Sequence, residues 1–164
     1  MYGGYAASRL SAHVWPDQVA NYEKVFCDVV NRASQSSKEI RQEYRFSENH
    51  TVALEKRVSH CKRLLKVASY LLGHVAGLDD VVFNQCAPRA QRALEDNPQF
   101  CDTFESLSSI LKDLWSNYGH WPGPEVYDPL KELAVKFIHD SGLDVSLTPE
   151  GVWVKPVDPF EFCF

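Results

Sequence analysis

Leu54-Glu55-Lys56-Arg57-Val58-Ser59-His60-Cys61-Lys62-Arg63-Leu64-Leu65-Lys66-Val67-Ala68-Ser69-Tyr70-Leu71-Leu72-Gly73-His74-Val75 is the stretch whose spacing decides the fold. Leu54, Val58, Cys61, Leu65, Ala68, Leu72 and Val75 recur four and three apart, which places them on one side of an α-helix. Lys56, Lys62, Arg63 and Lys66 fall on the opposite side. Between the two runs a second stripe of His60, Leu64, Val67, Leu71 and His74. From Lys66 onward the helix is apolar over most of its surface, and such a helix is expected at the centre of a bundle.

Working outward, Trp15-Pro16 opens a helix upstream, because Pro suits the first helical position. Its apolar face is Val19, Tyr22, Phe26, Val29, Val30 and Ala33. Ser34 to Ser37 reads as a polar break. A capping box of Ser36 and Glu39 then starts a short helix that ends at Phe46 and buries Ile40, Tyr44 and Phe46. Residues 1–14, with Gly3 and Gly4, read as a flexible arm.

Downstream, Gly77 is read as the C-cap of the central helix. Asp79 and Asp80 cap a short helix with Val82, Phe83 and Cys86 inward, and Pro88 interrupts it. Asn97-Pro98 starts a longer helix carrying Phe100, Phe104, Leu107, Leu111, Leu114 and Tyr118, with Gly119 at its end. Pro124 or Pro129 begins the last helix, whose stripe is Leu130, Leu133, Ala134, Phe137 and Ile138, capped by Gly142. The period then changes to two. Leu143, Val145 and Leu147, a turn at Thr148–Gly151, and Val152-Trp153-Val154 predict a β-hairpin. Residues 15–156 thus form one helical domain ending in a hairpin, and 157–164 an aromatic tail with Phe160, Phe162 and Phe164 at alternate positions.

Composition excludes several classes. A net charge of -5 argues against nucleic-acid binding, which needs clustered Lys and Arg. The one dense basic cluster, Lys56 to Lys66, reads as the solvated face of an amphipathic helix. No apolar run reaches the roughly 18 residues of a membrane span. Residues 1–15 lack the apolar core of a secretory signal, and a single Arg there gives little to an organellar one. Cys27, Cys61, Cys86, Cys101 and Cys163 make no CxxC pair, and an odd, scattered set fits a reducing intracellular compartment. In that compartment the sequon Asn49-His50-Thr51 stays unused.

No nucleophile elbow, dinucleotide fingerprint, phosphate loop or HExxH motif is present. His139-Asp140-Ser141 brings three triad residue types together, but sequence neighbours do not point at one another as a triad requires. His60 and Cys61 likewise diverge by about 100° around their helix.

The run His60-Cys61-Lys62-Arg63-Leu64-Leu65 resembles the globin helix that crosses the distal face of haem, with a His and an apolar residue four later. Phe46 is placed like the aromatic at the corner before it. Asn97-Pro98-Gln99-Phe100 resembles the start of the penultimate globin helix, and Gly123-Pro124-Glu125-Val126 that of the last. The resemblance spans 46–138 and implies haem or a small apolar ligand beside His60 and Leu64. It also requires a proximal His, where this chain has Arg89 or Ala90, and a protonated Arg does not ligate iron.

The expectation is therefore an all-α bundle of five to seven helices, globin-like in the alternative, with a short C-terminal β-hairpin. Its expected role is that of a non-catalytic interaction or structural subunit that holds no cofactor. Trp153, Phe160, Phe162 and Phe164 are the candidate contacts with a protein partner or a second copy, because such rings are poorly placed in water.

Overall fold

The computed structural model describes residues 1–46, 50–78, 82–149 and 151–157. In chain order its helices are α1 (Tyr2–Ser11), α2 (Val19–Phe46), α3 (His50–Ala76), α4 (Phe83–Cys86) and α5 (Pro88–Glu95), then α6 (Pro98–Ser116) and α7 (Asp128–Asp140). Two 3₁₀ turns, Pro16–Gln18 and Pro124–Tyr127, lead into α2 and α7. Strands β1 (Leu143–Thr148) and β2 (Gly151–Pro156) close the described chain as an antiparallel hairpin. Pro16, Pro88, Pro98, Pro124 and Pro129 all stand in the first turn of a helical segment, where the missing N–H costs nothing.

The predicted central helix is α3, which packs against α1, α2, α6 and α7. Cys61, Leu65, Ala68, Leu72 and Val75 of its four-three stripe are buried. So are Leu64, Leu71 and His74 of the second stripe, while Lys56, Lys62, Arg63 and Lys66 are exposed. Helix α2 runs antiparallel to α3, so that Tyr22 near its start meets Tyr70 and His74 near the end of α3. At 28 and 27 residues the two helices are each about 40 Å long. Phe26 and Val30 of α2, Leu71 of α3, and Leu107 and Leu111 of α6 are at most 1% exposed and belong to one continuous core.

Several sequence expectations are corrected. Residues 2–11 form a helix rather than a loose arm: Tyr2, Tyr5, Ser8 and Ala12 make a stripe spaced three, three and four, and all are buried. The helix is held by close approach. A Cβ on Gly73 would lie 2.3 Å from the Tyr5 carbonyl oxygen, and one on Gly77 2.2 Å from that of Arg9. Only glycine lets the two backbones meet there. Gly77 directly follows the last residue of α3, where a C-cap was expected, and is a contact point as well; its φ is not positive, unlike that of Gly119, Gly142 and Gly151.

The break at Ser34–Ser37 is also absent, since α2 is continuous from Val19 to Phe46. Ile40, 8% exposed, continues the buried stripe of Cys27, Val29 and Val30, and packing outweighs the weak helix preference of serine. Glu39, offered as half of a capping box, instead accepts a mid-helix bond from Gln35 Nε2 at 2.8 Å. The side chains of Tyr44 and Phe46 lie outside the described part, as do Asp79 and Asp80. Val82, expected inward, is 54% exposed.

Caps come from a distance. Glu23 of α2, 6% exposed, accepts the N–H groups of Arg89 (2.7 Å) and Ala90 (3.1 Å) at the start of α5. Its carboxylate satisfies two orphan donors at the positive end of that helix. Asn97, expected to cap α6, donates through Nδ2 to the Ala93 carbonyl at 2.8 Å.

Candidate functional site

The hairpin register sorts its residues by face. Leu143 pairs with Pro156 and Val145 with Val154, and these four point one way. Leu143 is fully buried and the other three are partly so, which marks this face as inward. Asp144 pairs with Lys155, Ser146 with Trp153 and Thr148 with Gly151, and these face water. The Lys155 ammonium is 3.3 Å from the Asp144 carboxylate, in an exposed pair worth little. In the middle stands Trp153, 63% exposed. Its Nε1–H donates to Thr148 Oγ1 at 2.9 Å, so the indole is oriented without being covered.

The base of the hairpin is anchored. The Val157 N–H donates to the Gly142 carbonyl at 3.0 Å. The Ser141 carbonyl accepts from Arg57 Nη2 at 3.2 Å, and Ser141 Oγ is 3.3 Å from Cys61 Sγ. These contacts tie the α7–β1 corner to α3. Gly142, at φ 91°, makes the turn between them. Among the described residues β1 and β2 form a sheet of two strands, each paired only with the other, so each is an edge strand. Phe160, Phe162 and Phe164, predicted with Trp153 as partner contacts, lie outside the described residues.

His60 and Leu64 sit elsewhere. Leu64 is 4% exposed and belongs to the packed core. His60 is partly buried; its Nε2 is buried and has no hydrogen-bond partner among the described residues. Burial pushes its pKa down, and the neighbouring Arg57 and Arg63 charges push the same way. Where the globin resemblance would need a proximal His, Arg89 is exposed, with its N–H bound by Glu23, and Ala90 is fully buried in the same core as Leu64. These residues do not fit haem: Ala90 has no ligand atom, Arg89 is a permanent cation, and Leu64 and Ala90 are already covered by protein.

The remaining chemical candidates lie at the end of α7 and among the cysteines. Asp140 pairs with Lys136, leaving His139 exposed at 3.9 Å from it, while Ser141 is turned toward Cys61. Burial raises the thiol pKa of Cys27, Cys61, Cys86 and Cys101, the reverse of an activated nucleophile. Cys163 lies outside the described residues. An open cleft of about 1030 Å³ between α3, α5 and α6 has Leu72, Val75, Leu94 and Phe104 at its floor, with Ser108 and Lys112 on its wall. Arg9 at its edge is already committed, its guanidinium 4.5 Å above the Trp115 ring and donating to Tyr5 Oη at 2.8 Å. A smaller groove of about 510 Å³ lies between α2 and α3. Neither opening is lined by His60 or Leu64.

No match is found among protein-family models, curated proteins or solved structures. The reading of function therefore rests on this chain's own surface. Sequence reasoning singled out Trp153 from its place in an alternating strand. It missed Glu23 and the α2 wall of the smaller groove, because both depend on which helices meet. The cationic face of that groove was visible as Lys56 to Lys66; its aromatic side, Tyr22 with Tyr70, is assembled only by the antiparallel pairing.

Proposed function

We propose that this protein is a non-catalytic interaction subunit that docks on a protein partner, or on a second copy of itself, through its C-terminal hairpin. The observation that carries the reading is Trp153. A 63% exposed indole held in place by Thr148, on the solvent face of a hairpin whose strands pair only with each other among the described residues, is an anchor awaiting a pocket. Rigid aromatics are favoured at interfaces because they bury much area at little entropic cost. The open strand edge offers backbone hydrogen bonds to an added strand. Phe160, Phe162 and Phe164 follow in the sequence and would extend the same apolar contact.

The test compares the native mass of the purified protein, alone and with proteins that co-purify with it, against Trp153→Ser and a deletion of 157–164. Trp153 is exposed, so the substitution is expected to leave the circular dichroism and Tm unchanged while weakening association. Association that persists unchanged in both variants would remove the hairpin from the interface. A melting temperature many degrees lower in the deletion, with association intact, would assign the tail to the domain's own core.

A further inference from the structure

The smaller groove has a composition unlike the rest of the molecule. Lys62, Arg63 and Lys66 line it from α3, and Tyr22, Val25, Val67 and Tyr70 supply its apolar surface. Asn21 and Ser59 complete the lining, so no carboxylate borders it among the described residues, in a chain of net charge -5. Helix α3 carries five of the chain's 17 Lys and Arg and one acid, Glu55. Lys62 and Arg63 form no ion pair among the described residues, and Lys66 Nζ lies 5.8 Å above the Tyr70 ring. Tyr70 stacks on Tyr22 at 6.2 Å and 22°, so the aromatic wall is built across both helices. A Cβ on Gly4 would lie 2.7 Å from the Tyr70 ring, which shows α1 bracing it from behind. Val25 is 43% exposed and lies at the mouth.

We propose that this groove receives an amphipathic helix of a partner protein that carries Asp or Glu beside its apolar face. The shape fits that occupant. Lining residues from Ser59 to Tyr70 on α3 span about 16 Å, close to three helical turns. An added helix would lie in the valley of an antiparallel pair and bury Val25, Val67 and the tyrosine faces. The unpaired cations on the α3 side select acidic residues along one flank, and the same charges repel a basic helix. Three cations are few for a nucleic-acid surface, and the apolar floor offers a phosphate backbone nothing. At 100° per residue Lys62, Arg63 and Lys66 point away from Arg57 and Cys61, which hold the hairpin corner. The groove is therefore a second surface on the opposite side of α3, and it does not depend on the Trp153 reading.

The probe is a synthetic amphipathic helix of about 18 residues with Leu on one face and Glu along one flank. Its twin has Lys in place of every Glu. Binding is followed by tyrosine fluorescence and by chemical-shift mapping on the full chain. The Glu peptide is expected to bind at least about tenfold more tightly than its twin, and more weakly as NaCl rises from about 50 to 500 mM. Lys62→Glu, Arg63→Glu and Lys66→Glu combined, all at exposed positions, are expected to cost about tenfold or more in affinity with an unchanged circular-dichroism spectrum. Val25→Asp serves as an independent variant and is expected to weaken the same peptide. Equal binding of the two peptides, or binding indifferent to these variants, overturns the proposal. So does full displacement of the peptide by inorganic phosphate at low millimolar concentration, which would mean an anion site alone. A dimer that the triple variant dissociates would give the groove to a second copy and also overturn it.

Discussion

Leu65 sits at 2% exposure in the middle of the α3 stripe, so its side chain has partners all round. Leu65→Ala is expected to destabilise the domain by about 2–5 kcal/mol in a denaturant titration, through lost transfer energy and the cavity left behind. Glu23 differs in kind. It binds two N–H groups of α5 from a buried position, and Glu23→Ala strands them. The expected loss is about 1–3 kcal/mol, with Glu23→Gln milder because an amide oxygen still accepts. His60 gives a pH test. Its folded pKa lies below the unfolded value, because burial disfavours the imidazolium. The unfolded chain then binds the extra proton, so stability is fully present above about pH 6.5 and is lost as pH falls toward the folded pKa. His60→Leu is expected to flatten the decline seen by chemical denaturation between neutral and mildly acidic pH. An equal decline in the variant would assign the effect to other groups.

The elements show how much of the fold was legible. The apolar periods of α3, α6 and α7 placed those helices within a few residues, and the change to period two placed the hairpin. All of that is local information. Helix α1 was missed because Gly3 and Gly4 look like breakers, while the surface that stabilises it belongs to α3. The apparent break in α2 failed for a similar reason: Ser34 to Ser37 lie between Val30, which shares a core with α3, and the buried Ile40. The candidate sites divide likewise, with Trp153 visible in the strand pattern and the α2–α3 groove invisible until the helices are paired. Glycines allow the α1–α3 contact to be tested. Gly3 has nothing within 4 Å of an added Cβ, so Gly3→Ala is expected to stabilise by about 0.5–1 kcal/mol through helix propensity. Gly73→Ala drives a methyl into the Tyr5 carbonyl and is expected to cost about 1–3 kcal/mol, read from the shift in Tm. Opposite signs for one chemical change would show that α1 is a packed helix.

For the whole molecule, the seven described helices and hairpin form an all-α domain centred on α3, and no described helix is long and apolar enough to cross a membrane. The globin-like alternative raised by the sequence has a direct check. Titration of the protein with haemin is expected to give no stoichiometric Soret shift, since Arg89 and Ala90 offer iron no ligand. A sharp low-spin spectrum lost in His60→Ala would reverse that reading. The glycine contacts have a consequence in time as well as in space. Helix α1 leaves the ribosome well before the surface it packs on, because Gly73 follows Ser11 by roughly 60 residues, or about 3–12 s at ordinary elongation rates. Throughout that interval Tyr2 and Tyr5 have no α3 to cover them, and a helix of ten residues is too short to persist alone in water. The segment therefore waits as an unfolded aromatic stretch, open to a chaperone, until α3 is made and gives it somewhere to fold.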